Sequence, residues 1–204
     1  MRHNLVLIPT TRIEAFSDGV IAIIITIMVF ELKFRNIPTN ENLLPELAIL
    51  LPKFLSYAVS FVMLAIMWVN HHQIFHQLKT TDRRLPWINI HLLFWMSLIP
   101  FGTNLVGENY KLNLTASIYG FIFFMCASSF TLMRGYISRK SLIHDNIETT
   151  SHQKIQGKNK IAMSLYFISA VSGFFSVYAT YLLIIIVPLM YFLPEKINYL
   201  ELNK

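Results

Sequence analysis

Long apolar stretches separated by short polar segments dominate this sequence. A membrane-spanning helix needs about 20 mostly apolar residues, and six segments approach or meet that requirement. Only 14% of the 204 residues are charged, against about 25% in a soluble domain, which leaves too little polar surface to cover a globule in water. We therefore predict an all-α polytopic membrane protein, embedded in the lipid bilayer, in which residues 1–204 form a single six-helix transmembrane domain. The predicted spans are 12–33, 47–77, 86–106, 112–136, 159–176 and 178–194.

The last apolar block, residues 161–193, is too long for one crossing. As a single helix it would reach about 50 Å, whereas the hydrocarbon core of a bilayer is about 30 Å thick. We therefore predict two short spans joined by a tight turn near residues 172–178.

Loop charges predict the orientation. With six spans, thirteen of the 17 lysines and arginines fall on the side that holds both termini. The positive-inside rule then predicts that both termini are cytoplasmic. We expect a multi-pass protein of the cell membrane. Five spans would preserve this bias. The net charge of +6 arises from the basic residues of these loops and does not indicate a nucleic-acid partner. The other side holds only Lys33, Arg35, Lys53 and Lys111.

The first span begins with polar chemistry and contains a carboxylate. Thr11 and Glu14 have the spacing of a capping box, which predicts the start of the helix. Asp18 lies inside the apolar run, one to two turns from its start. A charged side chain costs about 2.5–3.5 kcal/mol at mid-bilayer, and less toward the end of a span. Such residues face protein or a water-filled cavity, so we expect Asp18 to point away from lipid.

Helical geometry divides the first span into two faces. Successive side chains advance by about 100°, so Phe16, Ile27 and Phe30 lie within about 40° of Ile23, and Thr26 within about 60°. Arg12 lies on the same side. Asp18 lies about 140° away and Ser17 about 120° away. One face is therefore an apolar stripe with a single hydroxyl, and the Ser17–Asp18 pair faces other helices.

The segment Arg12-Ile13-Glu14-Ala15-Phe16-Ser17-Asp18 resembles the Arg-x-x-x-Phe-Ser-Asp signature of the transmembrane protein 175 family of potassium channels. All four signature positions match, at the start of the first span, where the family has them. Further features agree over most of the chain, namely the six spans, Trp68, His71-His72, Asn89 and the segment Leu98-Ile99-Pro100-Phe101. Single six-span chains of this family are bacterial or archaeal and form tetramers.

The resemblance implies a homotetrameric potassium channel, not an enzyme, without a cofactor and with potassium as the permeant ion. The first helix of each subunit would line a central pore. Ile23 occupies the family's hydrophobic constriction, and Thr26 occupies a position that contributes to potassium selectivity. Ile27 and Phe30 would add apolar layers. No Thr-Val-Gly-Tyr-Gly loop is visible in the sequence, so the pore would lack a carbonyl selectivity filter.

We assign the signature residues a structural role. Ser17 and Asp18 would bond to polar groups of the second and third spans and hold the first helix at a fixed angle. The expected structural network comprises Arg12, Phe16, Ser17, Asp18, Trp68, His71 and Asn89.

Two other function classes stay open. A secondary ion transporter also has few spans, but it usually has broken helices and carboxylates at mid-depth. A membrane metalloenzyme is a weaker alternative, based on His71, His72 and His76. The last two are four residues apart on one helix face, a spacing compatible with metal ligation.

Overall fold

The computed structural model describes residues 8–34, 36–143 and 149–191. These residues form helices joined by short connections, in agreement with the predicted all-α class. The helices are α1 (Thr10–Ile27), α2 (Leu43–His76), α3 (Leu85–Ser97), α4 (Ile99–Asn109), α5 (Asn113–Arg139), α6 (Thr149–Ser172) and α7 (Val177–Tyr191). A 3₁₀ segment, Met28–Glu31, continues α1. The end of the sixth predicted span, beyond residue 191, lies outside the described residues.

The start of α1 differs from the sequence prediction. The helix begins at Thr10 after Pro9, and its first turn has no side-chain cap. The backbone N–H of Arg12 instead bonds to the carbonyl of Pro9 at 3.1 Å. The predicted capping box of Thr11 and Glu14 is therefore wrong, because Thr11 is already inside the helix and the Glu14 carboxylate bonds to another helix.

The third predicted span, 86–106, is interrupted. Its first part, α3, ends at Ser97, and α4 begins at Ile99 with Pro100 in its first turn. Proline has no N–H to donate to the preceding turn, and its ring crowds the carbonyl four residues before it. Pro100 therefore separates two helical pieces that together have the length of one crossing.

Four helical stretches are long and apolar enough to cross a bilayer, namely Thr10–Glu31, Leu43–His76, Leu85–Asn109 and Asn113–Arg139. The helix Val177–Tyr191 is apolar but shorter. A turn at residues 173–175 separates α6 from α7. The chain is therefore a polytopic helical membrane protein. A fifth and a sixth crossing by α6 and α7 stay a prediction.

Helix α5 is the central packing element of the described structure, since it contacts α3, α4, α6 and α7. Its approach to α6 depends on Gly120. A Cβ atom at Gly120 would lie 2.8 Å from Ser169 Oγ and 2.9 Å from the backbone nitrogen of Ala170. Small residues at such crossings let two helix backbones pack closely, which is the main source of association between helices in lipid.

We expect Gly120→Ala to lower the midpoint of thermal unfolding of the detergent-solubilised protein. The added methyl group meets backbone atoms of α6, and overpacking of this kind costs about 1–3 kcal/mol. The matched control is Gly157→Ala, since a Cβ at Gly157 meets no described atom within 4 Å. Both substitutions gain helix propensity, up to about 1 kcal/mol, so only the clash separates them. Equal midpoints for the two variants would contradict the close crossing.

Candidate functional site

Helix α1 has one buried face and one exposed face. The buried residues recur at helical spacing and pack toward α2 and α3; they are Ile13, Ser17, Ile21, Ile24 and Met28. The exposed face carries the large apolar residues Phe16, Ile23, Ile27 and Phe30. We call these four residues the α1 stripe. The division agrees with the two faces derived from the sequence.

The backbone conformation changes along the α1 stripe, from α-helix at Ile23 to 3₁₀ helix at Phe30. Ile23 is 61% exposed within an α-helix, and Phe30 is 66% exposed within the 3₁₀ segment. In a 3₁₀ helix, side chains three residues apart eclipse each other. Phe30 therefore lies on the same side as Ile27, which begins the segment as its N-cap.

Thr26 is exposed beside the α1 stripe, and its hydroxyl proton is directed back into the helix. Thr26 Oγ1 donates toward the carbonyl oxygens of Ile23 at 2.9 Å and Ala22 at 3.0 Å. A hydroxyl has one proton and two lone pairs. Because the proton is used internally, the outward side of the oxygen is an acceptor, which is the polarity that a cation requires.

A buried chain of hydrogen bonds fixes the opposite face of α1. His71 Nε2 lies 2.8 Å from Asn89 Oδ1, and Asn89 Nδ2 donates to Ser17 Oγ at 2.8 Å. Ser17 Oγ donates in turn to the carbonyl of Ile13 at 2.8 Å. The donors and acceptors of these hydrogen bonds match if His71 carries its proton on Nε2 and donates it to Asn89 Oδ1. We call this chain the His71–Asn89–Ser17 relay; it joins α2, α3 and α1.

Two further polar contacts join α1 to α2 alone. Trp68 Nε1 donates to Asp18 Oδ1 at 2.9 Å, and His72 Nδ1 lies 2.8 Å from Glu14 Oε1. The carboxylates are four residues apart on α1, and their partners are four residues apart on α2, as antiparallel helices require. Glu14 was missed as a member of the network. The matching four-residue spacings were a signal in the sequence that could have identified it.

The structure therefore brings five of the seven expected network residues together, namely Ser17, Asp18, Trp68, His71 and Asn89. Arg12 and Phe16 are exposed; they belong to the exposed face of α1 and not to the network.

The three histidines of the metal hypothesis have separate surroundings. His71 is buried and stacks on Phe75, His72 pairs with Glu14, and the His72 and His76 rings are 6.2 Å apart. Within the described part of the chain, no group of three or more His, Cys, Asp or Glu residues is arranged to hold a metal ion.

The fold and these contacts define a polytopic helical membrane protein whose first helix is held laterally by polar side chains and exposes an apolar face. The family described as endosomal/lysosomal potassium channel TMEM175 matches residues 12–100. A Chryseobacterium sp. (strain P1-3) protein named potassium channel is 36% identical over 185 residues, which cover 91% of this chain and 93% of that protein. The chain therefore belongs to the TMEM175 family of ion channels.

Two further comparisons concern the fold and the animal relatives. A crystal structure of a lysosomal potassium-selective channel TMEM175 homolog from Chamaesiphon minutus is similar, with a TM-score of 0.78 and 29% identity, over 92% of this chain and 98% of that one. A Gallus gallus protein named endosomal/lysosomal proton channel TMEM175 is 31% identical over 105 residues, which are 48% of this chain and 21% of that protein.

We expect Asn89→Leu to lower the thermal unfolding midpoint in detergent. Leucine has a similar size, but it leaves the buried His71 Nε2 group without its partner and removes a donor to Ser17. An unsatisfied buried group of this kind costs about 1–3 kcal/mol. Asn109→Leu is the control, since within the described part of the chain the Asn109 side-chain amide bonds only to a carbonyl of its own helix. A midpoint for Asn89→Leu that equals that of the control would contradict the relay.

Proposed function

We propose that this protein is a potassium-selective cation channel that passes ions passively through a central pore lined by α1. The observation that carries the proposal is the α1 stripe with the outward oxygen of Thr26 beside it. Family membership supports the channel class, and the bacterial relatives named potassium channel support the choice of ion. This pore needs no cofactor.

Four copies of the chain would place their α1 stripes around a shared axis, as a homotetramer in the cell membrane with cytoplasmic termini. Helix α1 contacts α2 and α3 on its inner side, so its outer side is free to face the axis. Lipid would also accept an apolar stripe. The hydroxyl beside it favours the pore, because an oxygen acceptor contributes nothing to a contact with hydrocarbon tails.

The expected constriction is a ring of Ile23 side chains. An apolar ring can close a pore by excluding water, and an open ring passes an ion that has lost part of its hydration shell. Potassium loses water more easily than sodium, because the larger ion binds its water molecules less strongly. Thr26 lies about 4.5 Å further along the helix, where its oxygen can replace lost water. Without a ring of carbonyls, selectivity is modest.

We expect Ile23→Asn to increase cation flux and to move the potassium-over-sodium preference toward unity. Four asparagine side chains around the pore would stay hydrated, whereas the isoleucine side chains form an apolar barrier. The measurement is ion flux into liposomes that contain the purified protein, with separate potassium, sodium and proton gradients. Ile90→Asn is the matched control, since Ile90 is also exposed but lies on α3.

Three results would contradict this proposal. Unchanged flux and preference in Ile23→Asn would remove Ile23 from the constriction. Proton flux without potassium flux in the wild-type protein would exclude the proposed ion. Saturable transport with the steep temperature dependence of a conformational cycle would indicate a transporter.

Thr26 tests the contribution of the hydroxyl separately. Thr26→Val has nearly the same shape but no oxygen, so we expect a lower potassium-over-sodium preference with the barrier at Ile23 intact. Thr26→Ser keeps the hydroxyl and should retain most of the preference. If valine and serine behave alike in the flux assay, the oxygen does not contribute to selectivity.

A further inference from the structure

A large cavity lined by polar and apolar groups lies between α5 and α6, away from α1. Its volume is about 820 Å³. It lies at the end of α5 that includes Arg139, on the side that loop charges predict to be cytoplasmic. Hydroxyl and amide groups form part of the wall, namely Ser128, Thr131, Tyr136, Ser138 and Gln156.

Among the residues that the structure describes, the charged groups of the wall are all cationic. Arg134, Arg139 and Lys160 line the cavity, and no described carboxylate does. The nearby Asp82 does not line the cavity; it accepts hydrogen bonds from the backbone N–H groups of Arg84 and Leu85 and from the hydroxyl of the wall residue Tyr136. The cavity therefore concentrates positive charge.

Arg134 is the decisive residue, because it is only 3% exposed. Its Nη1 group makes one long contact, 3.5 Å to Gln77 Oε1, and its Nε group has no partner among the described residues. Removing a cation from water costs several kcal/mol unless an opposite charge compensates it. The Gln77 contact supplies only a neutral oxygen, so the charge of Arg134 has no opposite charge paired with it among the described residues.

We propose that this cavity binds a phosphate group, supplied either by the headgroup of an anionic phospholipid or by free phosphate. Arginine side chains bind phosphate oxygens with paired N–H groups, and basic pockets between helices on the cytoplasmic side suit phospholipid headgroups. Leu132 lines the cavity and is 55% exposed, so an acyl chain could lie against it. The proposal does not depend on the identity of the permeant ion.

Two variants test the cavity without removing the buried arginine. Lys160→Gln removes an exposed cation from the wall. Gly157→Leu fills space, since Gly157 lines the cavity and a Cβ there meets no atom of the described residues within 4 Å. The matched controls are Lys154→Gln, which removes an exposed cation of α6 outside the wall, and Gly157→Ala, which changes the backbone propensity but adds little volume.

The experiment measures dissociation constants for the purified protein in neutral detergent by native mass spectrometry. The probes are inorganic phosphate, short-chain phosphatidylglycerol and short-chain phosphatidylcholine with the same acyl chains. We expect Lys160→Gln and Gly157→Leu each to weaken binding of at least one anionic probe about tenfold, which corresponds to about 1.4 kcal/mol, with both controls near wild type.

The probes distinguish the sources of the phosphate. Binding of phosphatidylglycerol alone assigns the site to a lipid headgroup, and binding of inorganic phosphate that competes with the lipid assigns it to phosphate in general. Either result supports the proposal. It is overturned if wild type binds the anionic probes no better than phosphatidylcholine, or if the two test variants bind them as tightly as their controls.

Discussion

The rotation of α1 about its own axis is the constraint on which the candidate site depends. A turn by one residue would move side chains by about 100° and replace Ile23 in the α1 stripe with a neighbour. The His71–Asn89–Ser17 relay opposes this movement, since Ser17 is completely buried and its oxygen meets Asn89 at 2.8 Å. In a bilayer no water can take the place of a broken buried bond, so the relay fixes which residues of α1 are exposed.

One of the helices that carry the relay, α2, is also joined to its neighbours by a second buried polar cluster. Ser60 of α2 lies 2.6 Å from the Tyr119 hydroxyl of α5, and Thr103 of α4 donates to Ser60 at 2.6 Å. Ser56 of α2 donates to the Thr103 carbonyl at 3.2 Å. Helix α2 therefore bonds to α5 and α4 through this cluster and to α1 and α3 through the relay. Hydrogen bonds between membrane helices average only about 0.6 kcal/mol each, so the shared attachment matters more than any single bond.

Local patterns in the sequence predicted what depends on one helix alone. The apolar runs predicted the all-α membrane class, and a period of 3.6 residues separated the buried Ser17 from the exposed Ile23. Features that need two segments were harder to find. The capping box failed because the Glu14 carboxylate contacts His72 of another helix. The break at Leu98, by contrast, is a local effect of Pro100, which hydropathy alone treats as part of one span. The isolation of Arg134 was not predictable, because burial of a cation depends on how α5 and α6 pack.

Polar and apolar residues of α1 have roles opposite to those that a soluble protein would suggest. The conspicuous polar residues, Ser17 and Asp18, are used to attach the helix to α2 and α3, and the apolar residues are left uncovered. A channel subunit needs one helix that is rigidly oriented but not covered by its own subunit. Lateral bonds to Asn89 and Trp68 provide rigidity from one side only, which leaves the side with Ile23 and Thr26 free. Bulky apolar packing around the whole helix would give equal rigidity but would cover the face that we propose to line the pore.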